Sequence, residues 1–383
     1  MKVSFIATVY NEEASVEALL ESLMKQSKMP DEIIIVDGGS RDHTVAQIQN
    51  HKSKLKVFVK KGNRAVGRNE AVKRSSNEII VCSDSGCILD KDWIKNITEP
   101  FEDPKIEVVA GYYKGSAKTV FQKCLIPYVL VMPDKVDKDK FLPSTRSIAF
   151  KKSIWKKVGG FEEKFNNNED YVFAKRLKEI SANIIFEIRA IVYWKPRKNL
   201  KDAFIMFYRF AKGDSESHIF RPKVFFIFLR YVLGLILLLL FLISRSYIIL
   251  NTIYLILSIY IFWSIVKNYK YVKDARAILL LPLIQIISDK AVILGTINGL
   301  LNERSKILIE GFSYISIIYL IILLSFRQLR SLFSSPKITE HGIVAYAQYF
   351  KYPLYFETIL FFVFILSPIV VFFILSKVRK HKE

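Results

Sequence analysis

The residues best suited to chemistry in this sequence directly follow a short apolar run, Ile79–Cys82. Its β-branched composition predicts a strand buried on both faces. The run continues into Ser83–Gly86, which contains the acid Asp84. An acid at the carboxyl end of a buried strand, beside a glycine, lies where open α/β sheets bind ligands. The carboxylate is suited to hold a divalent cation beside a phosphate, because hard cations take oxygen ligands. A role as a turn cap is equally compatible with this stretch.

A second acidic pair, Glu169 and Asp170, follows the asparagine-rich loop Asn166–Asn168 and stands where a helical pattern begins. Acids in the first turn of a helix usually do no more than offset the helix dipole. Their position alone therefore does not establish a catalytic role.

Basic residues at the start of another predicted helix are candidates for binding an anion. The segment Gly62–Lys73 has Arg64 and Arg68 near its amino end. A guanidinium can bind a phosphate through two parallel hydrogen bonds. A solvated basic face is the commoner role of such arginines, so both interpretations stay open.

A sheet must bring these groups together. Val3–Tyr10, Ile33–Val36 and Leu55–Val59 are strand-like apolar runs that alternate with helical patterns. This order predicts an α/β fold with a doubly wound, mostly parallel sheet. The second run ends at Asp37 in a glycine turn, which repeats the placement of Asp84, although Asp37 could also be a plain turn residue. The glycines match neither a P-loop nor a GxGxxG site, which argues against an NTPase or a dehydrogenase.

The apolar content of the chain rises sharply beyond Pro222. Three runs there have about 20 residues each, the length that a helix needs to cross the hydrocarbon core. They are Val224–Ser244, Ser246–Val266 and Leu354–Ser376. We therefore predict a soluble head on an α-helical transmembrane domain.

Two further apolar segments are less regular. Ala277–Leu301 carries Asp289 and Lys290 near its centre. Because charges are costly at mid-membrane, we expect this segment to be interfacial, re-entrant or buried among helices. Gly311–Phe326 is short for a span. About four true crossings are expected, or five.

The net charge of +21 would suggest nucleic-acid binding in a soluble protein. Here the basic residues cluster beside the membrane segments, as in Lys267–Arg276 and Lys377–Lys382. Such clusters fit the positive-inside bias and attraction to anionic lipids. No nucleic-acid motif accompanies them, so we expect no nucleic-acid partner.

The cysteines and the amino-terminal residues indicate in which cellular compartment the head lies. The three cysteines form no CxxC pair and the five histidines are scattered, which argues against a zinc site or a disulfide framework. Met1–Tyr10 lacks the apolar region and cleavage site of a signal peptide. We therefore expect a multi-pass protein of the cell membrane with a cytoplasmic head.

Several blocks in the head carry a resemblance to a known family. Thr8–Glu13, Asp31–Thr44 and the pair Arg68-Asn69 resemble the successive blocks of family 2 glycosyltransferases. These are inverting enzymes of the GT-A fold that use nucleotide-diphosphate sugars, and the resemblance covers roughly the first 215 residues. It implies that a group of residues lines or borders the nucleotide-sugar pocket. They are Thr8, Tyr10, Glu12, Asp37, Arg68 and Asn69.

The same resemblance assigns roles to the acids. Asp84-Ser85-Gly86 takes the place of the family's Asp-x-Asp motif, which implies that Asp84 contacts the sugar nucleotide and holds Mg²⁺ or Mn²⁺. Gly86 stands where the family has its second acid, so the identity and affinity of the metal stay open. Glu169-Asp170 matches the Glu-Asp motif, whose Asp serves as the catalytic base.

Two arginines are weaker candidates. Arg146 lies in Phe141–Phe150, which resembles the acceptor half of the family, and it could reach a phosphate or sugar or pair with an acid. Arg209 lies in Ala203–Gly213, an aromatic, amphipathic stretch suited to the membrane interface. Related enzymes carry basic residues near the active-site mouth at this place, but simple anchoring is the preferred interpretation.

Together these observations predict a membrane-anchored inverting glycosyltransferase that moves a sugar from a nucleotide-diphosphate sugar to a hydroxyl of a membrane-associated, lipid-linked acceptor. The expected parts are residues 1–195, a cytosolic GT-A-like catalytic head, residues 196–223, an amphipathic interfacial segment, and residues 224–383, a transmembrane domain with about four to five hydrophobic helices.

Three alternatives stay open. A polyprenyl-phosphate glycosyltransferase would hardly need a base, because a phosphate is already ionised. A processive polysaccharide synthase would carry a Gln-x-x-Arg-Trp signature, which Phe207–Phe210 does not supply. A non-catalytic nucleotide-sugar-binding membrane scaffold or transporter subunit is compatible with Gly86, although a transporter should show repeated membrane halves.

Overall fold

An eight-stranded mixed sheet organises the amino-terminal part of the chain. The structure is a computed structural model and describes residues 1–51, 55–219 and 221–302. The strands are β1 (Val3–Val9), β2 (Glu32–Asp37), β3 (Leu55–Val59), β4 (Ile79–Cys82), β5 (Cys87–Leu89), β6 (Val108–Gly115), β7 (Ile148–Lys151) and β8 (Ile184–Trp194). Their order across the sheet is β3-β2-β1-β4-β7-β6-β8-β5. The first four strands are parallel to one another, β6 is parallel to β8, and β7 and β5 are antiparallel to their neighbours.

Helices cover this sheet and continue beyond it. They are α1 (Val16–Met24), α2 (Thr44–Gln49), α3 (Arg64–Arg74), α4 (Trp93–Thr98), α5 (Val120–Val129), α6 (Lys152–Lys157), α7 (Glu169–Glu179), α8 (Leu200–Glu216), α9 (Pro222–Ser244), α10 (Tyr247–Val272) and α11 (Ala277–Asn302), with short 3-10 helices at Glu99–Glu102 and Pro133–Lys135. The predicted α/β class followed by long apolar helices is confirmed.

Two hydrophobic clusters explain why the sequences of the central strands are continuously apolar. In β1, Phe5 belongs to one cluster and its neighbour Ile6 belongs to the other. Successive strand residues point to opposite faces of a sheet. Leu19 of α1 and Trp93 of α4 pack in the first cluster, and Phe173 of α7 packs in the second. The central strands β1, β2 and β4 are therefore buried on both faces.

The first helix, α1, starts at Val16, so Asn11 lies outside it. Asn11 instead adopts a left-handed backbone with φ of 52°, and its side-chain oxygen accepts a hydrogen bond from the backbone of Arg41 at 2.9 Å. An asparagine tolerates this conformation better than most residues. Its side chain thus joins the loop after β1 to the loop after β2.

Three helices are long and apolar enough to cross a membrane. Mean hydropathy is 2.8 for Pro222–Ser244, 2.0 for Tyr247–Val272 and 2.0 for Ala277–Leu301. The third differs from the others because 39% of its apolar window is buried, against 0% and 6%. The predicted runs Gly311–Phe326 and Leu354–Ser376 lie outside the described residues.

By contacts, the chain divides into two compact units. One consists of Met1–Ser217 together with Leu255–Thr296, and the other includes His218–Tyr254. In the first unit, Leu281 and Ala291 of α11 belong to the same hydrophobic cluster as Met206 of α8. The predicted boundaries at residues 195 and 223 stay predictions.

A buried carboxylate fastens the amino end of the sheet. Glu32, 6% exposed, accepts hydrogen bonds from Ser4 Oγ at 2.8 Å, Lys56 Nζ at 2.8 Å and the Ser76 backbone at 2.9 Å. Burial alone would raise the pKa of Glu32, but the bonds from Lys56, Ser76 and Ser4 outweigh it and lower the pKa to about 2. The ionised form is therefore the one that joins strands β1, β2 and β3.

Replacing Glu32 by Gln should lower the free energy of unfolding by about 1.5–3 kcal/mol at pH 7, the usual size of a hydrogen bond to a charged group. Because the folded pKa of Glu32 is about 2 and its ordinary value is 4.5, the difference from wild type should be full above pH 4.5 and vanish as the pH falls toward 2. Thermal unfolding of detergent-solubilised protein across this range measures it.

The control is Glu21→Gln, which removes only the exposed pair with Lys25. Equal melting temperatures for Glu32→Gln and Glu21→Gln at pH 7 would contradict a stabilising role for the buried carboxylate.

Candidate active site

The carboxyl ends of the parallel strands form one polar edge. Val9 at the end of β1 is paired with Asp37 at the end of β2, and Asp37 is paired with Val59 at the end of β3. Because β7 runs antiparallel to β4, the loop that precedes Ile148 lies beside Cys82 at the same edge. This topology places Asp84, the start of α3 and the loop before β7 close together.

A buried arginine joins two of the predicted site acids. Arg68, only 2% exposed, donates from Nη1 to Glu169 Oε1 at 2.6 Å and from Nη2 to Asp84 Oδ1 at 2.9 Å. Arg64 lies nearby, with Nε 3.9 Å from the same Glu169 oxygen. Three segments that are far apart in the sequence therefore meet at a single guanidinium.

The charges in this cluster stabilise one another. Burial alone would raise the pKa of Asp84, but the positive charges of Arg68, Arg146 and Arg64 outweigh it and hold the pKa below its ordinary value. Burial would lower the pKa of Arg68, but Asp84 and Glu169 raise it above its ordinary value. Both groups are therefore charged at neutral pH.

Glu169 is the more deeply buried member of the acidic pair, with 2% exposure. Its Oε1 binds Arg68, whereas its Oε2 is buried with no hydrogen-bond partner among the described residues. An unpaired buried carboxylate oxygen carries a desolvation cost that the neighbouring guanidinium can only partly offset. This arrangement suits Glu169 to orient Arg68, and its predicted catalytic role stays a prediction.

Asp170 is more accessible and has different partners. Its Oδ2 accepts a hydrogen bond from Ser144 Oγ at 3.0 Å, and its Oδ1 accepts one from the Tyr171 backbone at 2.8 Å. Each carboxylate oxygen accepts one of these hydrogen bonds, so the group keeps lone pairs available to a proton donor. Ser144 was not singled out in the sequence, because nothing local marks it.

Arg146 stands between aromatic rings at this edge. Its guanidinium carbon lies 5.5 Å from the ring centroid of Tyr113 and 5.9 Å from that of Trp194. Burial would lower the pKa of Arg146, but Asp84, Tyr113 and Asp170 raise it. The structure thus brings Arg146 within electrostatic reach of both Asp84 and Asp170.

Asp37 shapes the glycine turn at the end of β2. It is 1% exposed, and its Oδ2 accepts hydrogen bonds from the backbones of Gly39 and Ser40, both at 2.9 Å. Gly39 has a φ of +97°, which favours glycine. The Asp37 carboxylate therefore has a structural function here, whatever else it binds.

The residues after β1 border this turn. Tyr10 is 55% exposed, and the backbone of Glu12 donates to Thr44 Oγ1 at 2.8 Å. Thr8 packs so closely on α3 that a Cβ at Gly67 would lie 2.8 Å from its methyl group. The edge therefore presents Tyr10 to solvent and holds α3 against β1.

Asn69 lies beside the cluster, but all the hydrogen bonds that its side-chain amide can form are made within the protein. Its Nδ2 donates to Phe161 O and Glu163 Oε1, both at 2.8 Å. Its Oδ1 accepts from the Phe161 backbone at 2.9 Å and from Trp155 Nε1 at 3.2 Å. An asparagine amide makes about four such bonds. Asn69 therefore ties α3 to the loop before α7, and its predicted place beside the nucleotide pocket stays a prediction.

The predicted metal position offers one acid. Asp84 has a side-chain exposure of 29%, and among the described residues no three His, Cys, Asp or Glu side chains are arranged to hold an ion. Gly86 is exposed, and a Cβ added there would meet no atom within 4 Å. A single carboxylate fits Mg²⁺, which commonly takes one or two protein carboxylates together with substrate phosphates and water.

The remaining candidate, Arg209, is exposed on α8. The buried thiols Cys82 and Cys87 lie near the acids, and burial raises the pKa of each to about 12, so neither is suited to be a nucleophile.

Comparison with known proteins bears on the identity of this region. Residues 4–157 match the family model described as Glycosyl transferase family 2. The O-antigen chain rhamnosyltransferase RfbN of Salmonella typhimurium is 26% identical over 206 residues, which are 50% of this chain and 66% of the relative. A poly-beta-1,6-N-acetyl-D-glucosamine synthase of Staphylococcus epidermidis is 25% identical over 56% of this chain and 55% of the relative. The chain thus spans less than two thirds of the length of these relatives.

Solved structures are similar at a lower level. The mannosyltransferase PcManGT of Pyrobaculum calidifontis, in complex with GDP-Man and Mn²⁺, has a TM-score of 0.49 and 16% identity, and the match covers 79% of this chain and 88% of that one. TarS of S. aureus in complex with UDP has a TM-score of 0.42 and 22% identity over 55% of this chain and 64% of that one. The family model thus matches the part of the chain that contains Asp37, Arg68, Asp84 and Arg146.

Proposed function

We propose that this protein is a membrane-associated glycosyltransferase that transfers a sugar from a nucleotide-diphosphate sugar to a hydroxyl group of a lipid-linked acceptor, with inversion at the anomeric carbon. The observation that carries the proposal is the cluster in which Arg68 binds Asp84 and Glu169 while Asp170 stays accessible beside Ser144. Two carboxylates with different surroundings can take different roles, which is the arrangement that acid–base chemistry uses.

Asp170 acts as the general base in this proposal. It removes the proton of the acceptor hydroxyl while that oxygen attacks the anomeric carbon. The new carbon–oxygen bond forms as the bond from the anomeric carbon to the diphosphate breaks, and the electron pair leaves with the diphosphate. The Ser144 hydroxyl, 3.0 Å from Asp170 Oδ2, orients the carboxylate for this step.

The leaving diphosphate is stabilised by positive charge. Arg64 is 55% exposed at the amino end of α3, and Arg146 is held over two rings at the same edge, so both can approach a phosphate. Asp84 is the residue that would hold Mg²⁺ or Mn²⁺, and such a cation neutralises charge that develops on the diphosphate oxygens. Arg68 is committed to Asp84 and Glu169 and serves to fix both of them.

The acceptor is placed at the bilayer by the apolar helices. Lys270 and Tyr271 of α10 bind Asp134, which joins this end of α10 to the loop after α5. The turn after α10 also carries Lys273 and Arg276. A basic turn beside the head fits the cytoplasmic side of a membrane. The head and this turn therefore share one side of the bilayer, and α10 crosses it toward Ser246.

Replacing Asp170 by Asn should lower turnover by about 10² to 10⁴, the usual contribution of a general base, and leave the Kd for UDP or GDP unchanged. Asn keeps the size of Asp and can still pair with Ser144, so folding should be retained. Release of nucleoside diphosphate from UDP-GlcNAc, UDP-glucose and GDP-mannose, with a bacterial lipid extract as acceptor, measures turnover.

The matched control is Glu179→Gln, which changes an exposed acid at the other end of α7. If Asp170→Asn turns over as fast as Glu179→Gln with the same melting temperature, Asp170 is not the base and a phosphate acceptor becomes the better interpretation.

Replacing Gly86 by Asp should strengthen Mn²⁺ binding by about tenfold, because affinity rises with the number of charged ligands. The open space around Gly86 accommodates the side chain without a clash. The measurement is the Mn²⁺ concentration that gives half-maximal UDP binding. Gly86→Asn, with the same size but no charge, should change this concentration little, and Asp84→Ala should abolish the Mn²⁺ dependence. Equal behaviour of Gly86→Asp and Gly86→Asn would argue against a cation at this place.

The proposed topology predicts different access to the two ends of α10. Ser246→Cys should react with a membrane-impermeant maleimide in intact cells, whereas Ala275→Cys, in the exposed turn after α10, should react only after permeabilisation. The three native cysteines are buried, which keeps the background low. Reaction of Ala275→Cys in intact cells would place the head outside the cytoplasm and refute this orientation.

A further inference from the structure

Helix α8 packs directly on the loop that leads into the acidic pair. Asn168 begins α7 with a left-handed backbone, φ of 62°, but its side chain makes no capping bond to that helix. Its Nδ2 instead donates to Asp214 Oδ1 at 2.7 Å and to the Phe210 carbonyl at 3.3 Å, both on α8. Asn and Asp residues usually use such side chains to cap their own helix. Here the Asn168 side chain forms its hydrogen bonds with α8 and not with α7.

The packing at this contact leaves no space for adjustment. A Cβ at Gly213 would lie 2.6 Å from the Cβ of Asn167. Asp214 is 8% exposed, so its bond to Asn168 is shielded from water and is stronger than an exposed one. The position of the first turn of α7, which holds Glu169 and Asp170, is therefore set by α8.

The other side of α8 is equally constrained. A Cβ at Gly295 of α11 would lie 2.3 Å from the Tyr208 carbonyl oxygen and 3.1 Å from the Ala211 Cβ. Close backbone approach of this kind is what small residues allow between packed helices. Helix α8 is thus held between an apolar helix and the acidic pair.

We propose that Asn168 and Asp214 are positioning residues, which hold the Asp170 carboxylate at the place where an acceptor hydroxyl must be deprotonated. This inference rests on the proposed function of Asp170. It assigns to α8 a role beyond membrane anchoring, because the bond joins α8 to the residue two positions before the base. Proton removal depends on the distance between the Asp170 carboxylate and the acceptor hydroxyl, since displacing a reacting group by about 1 Å can lower the rate 10²-fold.

The test compares variants of Asp214 in the full-length protein. Asp214→Leu removes the acceptor at similar size and should lower kcat for nucleoside diphosphate release about 10- to 100-fold, with the Kd for UDP unchanged. Asp214→Asn keeps an acceptor oxygen for Asn168 and should lose less than about threefold. Asp202→Leu is the control, because Asp202 pairs with Asn199 at the exposed start of the same helix.

Exchanging the two residues, Asn168 and Asp214, gives a second and independent test of the proposed hydrogen bond. Asn168→Asp places two carboxylates together, so it should lower kcat as much as Asp214→Leu does. Combining Asn168→Asp with Asp214→Asn restores one donor and one acceptor and should recover most of the lost kcat. Melting temperatures of all variants show whether a loss of kcat arises from unfolding. Recovery of kcat in the double variant would exclude unfolding as the cause.

The outcomes separate this inference from the proposed function. If Asp170→Asn retains full turnover, the proposed function fails and the inference fails with it. If Asp170→Asn is impaired but Asp214→Leu turns over as fast as Asp202→Leu, the function stands and the positioning role is wrong. In a protein that already carries Asp170→Asn, Asp214→Leu should cause no further loss, since residues that act through one group are non-additive. An additional tenfold loss there would also overturn the inference.

Discussion

The charge on the buried Arg68 is the constraint on which the site depends. A guanidinium that is 2% exposed is costly unless acids neutralise it, and Asp84 and Glu169 do so from two different elements. Removing one partner of such a buried pair typically costs about 3–5 kcal/mol. The folded state is therefore stable only when α3, the end of β4 and the start of α7 have come together. The same contacts that satisfy Arg68 bring Asp84 and Asp170 to one edge of the sheet.

This arrangement also explains what a nucleotide-sugar would meet. Three arginines (Arg64, Arg68 and Arg146) face three acids (Asp84, Glu169 and Asp170), so the cluster is close to neutral. A neutral cluster does not by itself attract a diphosphate strongly. A divalent cation at Asp84 would supply the missing positive charge, which is why Gly86, where an acid would strengthen metal binding, is an informative position in the proposed enzyme.

The apolar helices contribute to the architecture in unequal ways. A larger share of α11 is buried than of α9 or α10, and α11 packs on α8 through Gly295. An amphipathic helix that only anchors a protein would leave its polar face free. Helix α8 instead has a buried polar residue, Asp214, whose carboxylate binds Asn168 in the loop before α7. The element predicted from its aromatic and basic composition as an anchor is thus also part of the support beneath the candidate site.

The sequence by itself determined strands β1 to β4, the long apolar helices α9 and α10 and the acids at strand and helix ends, because these depend on local composition and on residues near one another in the chain. Asp84 after β4 and Asp170 at the start of α7 were identified in this way. Only the tertiary structure decided that Asn69 spends its amide on Phe161, that Ser144 reaches Asp170 and that Asn168 binds α8 instead of capping its own helix. These contacts join residues 92, 26 and 46 positions apart. A hydrogen bond over such separations depends on how elements pack, which no local pattern records.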